Sequence, residues 1–119
     1  MSVEADIFSP CALGAVLTSQ SISALKVAAV AGGANNQLAT AAQGGELSAR
    51  GILYAPDYVI NAGGIINVLR HIGQGGDAEV NRRIDQIPGR LMQIWGESAA
   101  TGDTPSQVAD RMAQRLIGR

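Results

Sequence analysis

Three short apolar runs, each followed at once by small, turn-forming or amide residues, constrain the fold of this chain more than any other feature. The runs occupy residues 5–8, 27–31 and 52–54, and stretches of helix-like composition lie between them at 12–17 and 37–50. The segments around the ends of the runs read ADIFSPCALG (5–14), AGGANNQL (31–38) and YAPDYVINAGGIINV (54–68). This alternation predicts an α/β domain with a parallel sheet, whose three strand ends meet at one edge. Ligands of α/β sheets bind at that edge.

A third helix is predicted to begin at Pro56 and to reach about residue 72. Proline suits the first helical position, and Asp57 in the first turn complements the positive end of the helix. This helix would carry Gly63 and Gly64 in its interior, each at a cost of about 1 kcal/mol relative to alanine. We expect close packing or the approach of a ligand to offset that cost.

The strand pattern stops near residue 73, and the rest of the chain predicts helices. After a loop at 74–77, an amphipathic helix has its apolar residues in alternating steps of four and three, at Val80, Ile84, Ile87, Leu91 and Ile94. Pro88 should kink that helix and Gly102 should end it. The sequence TPSQ at 104–107 is a capping box, which predicts a last helix with Val108, Met112 and Leu116 facing inward.

Charge and cysteine content exclude several classes of protein. The formal net charge is −1 and no stripe of lysine or arginine is present, so we expect neither nucleic acid nor an acidic membrane as a partner. The single Cys11 cannot form an internal disulfide, and the acidic start MSVEAD does not resemble a secretory peptide. We therefore expect a cytoplasmic protein. Residues 52–72 are interrupted by polar residues, which favours a soluble helix over a membrane span.

Candidate site residues follow the first two predicted strands. Cys11 would be a nucleophile if its pKa were lowered, but no histidine or basic residue is near it in sequence, and a free cysteine commonly acts as a small buried apolar residue. We therefore favour a backbone contact with a ligand at this turn. Gly32 and Gly33 would let the chain approach a ligand, while Asn36 offers a donor and an acceptor. Glycine and asparagine also favour turns for purely structural reasons.

A further candidate surface lies on the helix that starts at Pro56. Asn61, Ile65, Val68 and Ile72 recur at steps of four, three and four, so they share one face. That face suits either a substrate wall or an ordinary core contact. No GxGxxG, no metal-ligand cluster and no Ser/His/Asp set is present in the sequence, and the only lysine, Lys26, starts a strand at the opposite edge. The sequence therefore predicts no catalytic residue and no metal site.

The three segments together resemble the C-terminal part of the coenzyme-binding domain of the glutamate/leucine/phenylalanine/valine dehydrogenases, and most closely the leucine dehydrogenase branch. The resemblance implies the second half of a Rossmann-type doubly wound sheet of about three strands, followed by C-terminal helices. Residues 1–72 would then form a partial dinucleotide-binding domain, and residues 73–119 a helical segment packed on it. In this family NAD accepts hydride from an amino acid, giving a 2-oxo acid and ammonia.

The resemblance also implies roles for individual residues. Those expected to contact NAD are Cys11, Ala12, Gly33, Ala34, Asn36 and Asn61, with Asn36 holding the carboxamide of the nicotinamide. Asn61, which would bind the carboxylate of the substrate or the nearby cofactor, shares the substrate pocket with Ile65 and Val68. Related glutamate dehydrogenases tend to have a hydroxyl residue where this chain has Val68. An apolar L-amino acid such as leucine, valine or phenylalanine is therefore expected as the substrate.

Two departures from the family limit what this chain is expected to do. The catalytic lysines, the catalytic aspartate and the glycine-rich phosphate turn of the family belong to an N-terminal part that this sequence lacks, so we expect the chain to be inactive alone. Residues 69–71 read Leu-Arg-His where the family has an acidic pair. The strand at 5–8 would pair with a strand of the missing part, which leaves an exposed edge and favours a homo-oligomer. The alternative is a stand-alone, non-enzymatic module that binds a nucleotide or another subunit.

Overall fold

The sheet has three parallel strands in the order β1-β2-β3. The computed structural model describes residues 2–73 and 75–118. The strands are β1 (Ile7–Phe8), β2 (Ala29–Val30) and β3 (Leu53–Tyr54), with Phe8 opposite Val30 and Val30 opposite Tyr54. The predicted α/β class and parallel sheet are therefore confirmed, and all three strand ends lie at one edge. β1 and β3 form the two outer strands.

The helix between β1 and β2 begins later than the sequence predicts. It is α1 (Ser19–Ala24), whereas helix was predicted at 12–17. Ala15 has a left-handed backbone, with φ of 54°, which an α-helix cannot contain. The helix instead starts at a capping box, in which the Thr18 hydroxyl oxygen accepts a hydrogen bond of 3.1 Å from the Ser21 N–H.

The second helix is also shorter than predicted. It is α2 (Ala42–Ala49), and residues 37–41 form a loop that leads into it. The N–H and the hydroxyl of Thr40 both donate to the Gln43 Oε1 at 2.8 Å, which fixes the first turn.

The predicted helix from Pro56 to residue 72 is two helices. These are α3 (Asp57–Ile60) and α4 (Gly63–His71), with the break at residues 61–62. Gly63 and Gly64 thus begin α4 and do not lie in a helix interior. A Cβ at either glycine would meet nothing within 4 Å, so close packing is not the reason for them.

The C-terminal part consists of α5 (Asp77–Asp85), α6 (Ile87–Thr101) and α7 (Pro105–Ile117). The predicted kinked helix is therefore a pair, α5 and α6, which meet at Gln86. Pro88 lies in the first turn of α6, where its missing N–H is tolerated.

Both predicted ends in this part are confirmed. Gly102 ends α6 with a φ of 81°, and Thr104 caps α7 by accepting from the Gln107 N–H at 3.3 Å. Val108 is fully buried and Met112 packs against the core, but Leu116 is 71% exposed. The prediction that Leu116 faces inward is wrong, because Leu116 lines an open groove among α3 to α7 and does not pack into the core.

The apolar core has two parts. The first lies between the sheet and helices α1 and α2, and consists of Leu17, Ile22, Leu25, Val30, Leu47, Ile52 and Tyr54. The second joins the start of α3 to the C-terminal helices and consists of Ala55, Val59, Leu91, Ile94, Val108 and Ala109. A hydrogen bond of 2.8 Å from the Trp95 indole N–H to the Tyr54 carbonyl links α6 to the end of β3. In the part of the chain that the structure describes, no helix combines the length and apolarity needed to cross a bilayer.

Candidate functional site

The turn after β1 packs against the loop after β2 through backbone contacts. The Ala34 N–H donates to the Pro10 carbonyl at 2.9 Å. A Cβ at Gly32 would lie 2.2 Å from that same carbonyl oxygen, so only glycine fits at this position. Ala34, a predicted cofactor contact, is itself buried at 4% exposure by this packing. We refer to residues 32–36 as the site loop.

Cys11 is exposed at this junction, together with the neighbouring Ala12. The Gly33 N–H donates to the Cys11 sulfur at 3.5 Å, and the Ser9 hydroxyl lies 3.3 Å from it. The hydrogen bond from Gly33, followed by that from Ser9, lowers the pKa of the thiol. The expectation that Cys11 acts as a buried apolar residue is therefore wrong, because its side chain is exposed at the carboxyl edge of the sheet.

Asn35 and Asn36 of the site loop are positioned by backbone contacts with the segment before α1. Asn36 is in the left-handed conformation, with φ of 52°, and its carbonyl accepts from the Ala15 N–H at 2.6 Å. A Cβ at Gly14 would lie 2.8 Å from the Asn35 carbonyl, so the chain before α1 also packs closely here. The Asn36 side chain is exposed at the edge of the sheet.

Asn61 joins the start of α4 to the site loop. Its side-chain N–H donates to the Asn35 Oδ1 at 2.6 Å. This bond brings a predicted residue of the third segment beside those of the second. The structure thus gathers the predicted contacts of all three segments at one edge, while their binding roles stay predictions.

The predicted pocket residues Ile65 and Val68 lie further along α4 and are exposed, at 72% and 43%. Ile72, on the same stripe, is 57% exposed. The alternative that this stripe is an ordinary core face is wrong, because no described element of the chain covers it. An apolar surface of this kind suits a contact with a ligand or another surface.

Gln37 is a residue of the site that the sequence analysis missed. Its side chain is fully buried, and its Nε2 donates to the Gly32 carbonyl at 2.7 Å and to the Ala34 carbonyl at 2.9 Å. Its own N–H donates to the Asp57 Oδ2 at 3.0 Å. Its Oε1 is buried without a hydrogen-bond partner among the residues that the structure describes, and such an unpaired acceptor costs about 1–3 kcal/mol. The only sequence signal was an amide that directly follows a turn, and turn amides are common.

The pKa values of two tyrosines near this edge are raised, and the one lysine lies at the opposite edge of the sheet. Burial, followed by the charge of Asp57, raises the pKa of Tyr54. Burial, followed by a hydrogen bond of 2.6 Å to Asp110, raises the pKa of Tyr58. Both phenols therefore stay neutral at physiological pH. Lys26 lies before β2, at the amino-terminal edge, where its carbonyl accepts from the Ala5 N–H at 3.2 Å.

Two further observations concern ligands. Within residues 2–73 and 75–118, no three acidic, histidine or cysteine side chains gather as a metal site would require. A groove of about 420 Å³ lies among α3 to α7, with Val59, Ile66, Ile87 and Met112 among its apolar lining and three arginines among its polar lining. It contains none of the predicted site residues.

Comparison with known proteins gives a consistent result. The sequence profile described as glutamate/leucine/phenylalanine/valine dehydrogenase matches residues 1–115. A phenylalanine dehydrogenase of Bacillus thermotolerans is 42% identical over 98% of this chain and 30% of its own length. A leucine dehydrogenase of Thermoactinomyces intermedius is 42% identical over 97% of this chain and 31% of its own length. The chain thus spans about a third of these relatives.

A solved structure agrees with the sequence relatives. The crystal structure of L-tryptophan dehydrogenase from Nostoc punctiforme superimposes with a TM-score of 0.91 and is 38% identical. It covers 98% of this chain, which corresponds to 36% of that chain.

Proposed function

This chain belongs to the glutamate/leucine/phenylalanine/valine dehydrogenase family, and on that premise we propose that it forms the nicotinamide-facing side of an amino-acid dehydrogenase cleft. The observation that carries the proposal is the hydrogen bond of 2.6 Å from Asn61 to Asn35. It joins two loops from different strand ends into one polar surface. Such a surface at the carboxyl edge of a parallel sheet is where this fold binds ligands.

We propose NAD as the cofactor, held by Asn36, Gly33, Cys11, Ala12 and Asn61, with the buried Ala34 supporting the site loop beneath them. The residues fit a nicotinamide, because the exposed Asn36 amide offers the donor and acceptor that a carboxamide requires. The exposed Gly33 has no side chain to obstruct the ring, and a Cβ there would meet only the Cys11 sulfur at 4.0 Å. NAD would supply the hydride acceptor, and the chain would orient it.

The proposed substrate is an apolar L-amino acid such as leucine, valine or phenylalanine, with the corresponding 2-oxo acid as product. Support comes from Ile65 and Val68, which form an exposed apolar surface beyond Asn61. Asn61 would bind the substrate carboxylate or the cofactor beside it. Choosing among these amino acids depends on pocket volume, since one methylene is worth only about 1–3 kcal/mol.

The site amides of this chain would bind and orient the ligands, and they would not transfer protons. Amides do not ionise, and the one lysine, Lys26, lies at the opposite edge of the sheet. General acid–base groups contribute about 10²–10⁴ in rate. We therefore propose that these groups belong to another part of the whole enzyme. We also propose that the enzyme works in the cytoplasm, where a thiol such as Cys11 stays reduced.

A titration of the isotope-labelled chain with NAD, followed by NMR, tests the proposal. We expect resonances to shift at Cys11, Gly33, Asn36 and Asn61, with weak overall affinity. Asn36→Ala should reduce the affinity, since it removes the amide that would hold the carboxamide. Asn67→Ala is the matched control, because it removes an exposed amide from α4. Shifts confined to the groove among α3 to α7 would contradict the proposal.

A second candidate function, a module that binds another subunit, is favoured by the exposed edge of β1. Ile7 on this outer strand is 58% exposed, and Val3 before it is 77% exposed. Exposed strand edges pair readily with other chains. Sedimentation of the chain across a concentration series tests this: a homo-oligomer that Ile7→Lys disrupts supports it, and a monomer throughout contradicts it.

A further inference from the structure

The buried amide of Gln37 carries an inference that rests on the proposed function and adds to it. We propose that Gln37 and Asp57 are positioning residues, which fix the site loop and join it to α3. In this arrangement the amides of Asn36 and Asn61 face the ligand, while neither positioning residue contacts it.

Gln37 binds the site loop through its side-chain amide. One NH₂ group donates to the carbonyls of Gly32 at 2.7 Å and Ala34 at 2.9 Å, which are two residues apart. Turning the amide over would direct its oxygen at two carbonyl oxygens, so these contacts also determine its orientation. A single side chain therefore sets the curvature of the loop.

The amide oxygen of Gln37, Oε1, is buried and has no hydrogen-bond partner among the described residues. A buried acceptor without a partner destabilises the fold, so the function of this side chain is found in its two donors. Because Gln37 is fully buried, it does not contact a ligand itself.

The Asp57 carboxylate connects the end of the site loop to α3. It accepts from the Gln37 N–H at 3.0 Å and from the Tyr58 N–H at 2.8 Å. It therefore spans the residue after the site loop and the first turn of α3. At the other end of α3, Asn61 donates to Asn35. The loop and the helix are thus joined at both ends of the helix.

Hydrogen exchange of the whole 119-residue chain, measured by NMR without any ligand, tests this proposal. Gln37→Met keeps the length of the side chain and removes both donors. We expect the N–H groups of Ala34 and Ala15, which bond across the site, to exchange at least about tenfold faster through local opening. Exchange in α7 should not change. The Asn61 side-chain amide should also lose its distinct chemical shift.

Gln43→Met is the matched control, because Gln43 is a buried amide that bonds to Thr40 in the first turn of α2, away from the site. It should leave exchange at Ala34 unchanged. Unchanged exchange at Ala34 in folded Gln37→Met would overturn the proposal, as would equal acceleration in α7, which indicates a loss of global stability only.

Asp57→Asn decides the question if Gln37→Met does not fold. It keeps the shape of the side chain but replaces one of its two acceptor oxygens with a donor. The Gln37 N–H or the Tyr58 N–H therefore loses its acceptor and should exchange faster, while α7 is unaffected. Absence of that local change overturns the proposal. Because no ligand is present, a failure here is distinct from failure of the NAD titration, which would contradict the proposed function.

Discussion

The carboxyl edge of the sheet and the C-terminal helices are built by different means. At the edge, single contacts hold the backbone. The Gln37 side chain bonds to two carbonyls, the Asp57 carboxylate bonds to two N–H groups, and the Pro10 carbonyl accepts from Ala34 in a packing that Gly32 allows. In α5 to α7, repeated apolar residues form a stripe, and caps define the ends. Where single contacts hold the backbone, a substitution at a contact residue should be strongly destabilising. Where a repeated apolar pattern holds the helices, the loss of stability should depend on how much buried side chain is removed.

Gly32→Ala, at the carboxyl edge of the sheet, should cause the largest loss of stability. The new Cβ would lie 2.2 Å from the Pro10 carbonyl, and backbone must shift to admit it. We expect a loss of about 3 kcal/mol in the free energy of unfolding, measured by denaturant titration. Gly33→Ala is the control, since its Cβ meets nothing nearer than 4.0 Å. Equal, small losses for both would contradict the idea that single contacts fix the edge.

Ile94→Val should have a moderate effect in the patterned region. Ile94 is 1% exposed within the second core cluster, and the change removes one buried methylene. We expect a loss of about 1 kcal/mol, measured in the same titration. The exposed Met92→Val is the control, and should cost less. A loss as large as that of Gly32→Ala would remove the distinction between the two regions.

Ser9→Ala should change reactivity at the edge with little effect on stability. Without the Ser9 hydroxyl, 3.3 Å from the Cys11 sulfur, the pKa of the thiol should rise towards its ordinary value of 9.0. The rate of alkylation by iodoacetamide near neutral pH should therefore fall a few-fold. Ser23→Ala, at an exposed hydroxyl on α1, is the control. An unchanged rate would show that the Gly33 N–H alone sets the thiol pKa.

The acid response of α5 should show the smallest effect. Hydrogen bonds from Arg82 and Arg83 lower the pKa of Glu79 to about 2, below its ordinary 4.5. The stabilisation is therefore complete above pH 4.5 and is lost as the pH falls towards 2. Because these groups are at the surface, the change in Tm should be slight. Glu79→Gln should abolish it, and Asp85→Asn should not; a dependence near pH 7 would contradict this assignment.

The same two regions differ in how far their structure can be predicted from the sequence. The cap at Thr104 and the end at Gly102 were predicted because each depends on a few adjacent residues. Helix at 12–17 was wrong because Ala15 is held left-handed by the Asn36 carbonyl, a contact between distant segments. Gln37 was missed for the same reason, since its partners include Asp57. Features that depend on neighbouring residues, such as caps and helix ends, can be predicted from one sequence. Contacts between distant loops cannot.

The sequence predicted that the candidate residues gather at one edge of the sheet, but it did not predict the contacts that hold them there, and their binding roles stay predictions. The edge that gathers Cys11, Gly33 and Asn61 follows from parallel strands, whose ends must meet. The break before α4 was not foreseen, because the apolar steps continue through Asn61 as they would in one helix. Periodicity records which residues share a side, and it does not record where a backbone changes direction.

The bond from Trp95 to the Tyr54 carbonyl gives the protein an optical reporter of its own. Trp95 is the only tryptophan in the chain, and its indole N–H lies 2.8 Å from the end of β3. Its emission wavelength therefore depends on whether the C-terminal helices are docked on the sheet. A red shift that precedes the loss of circular dichroism would distinguish undocking of these helices from unfolding of the whole chain, with no added dye.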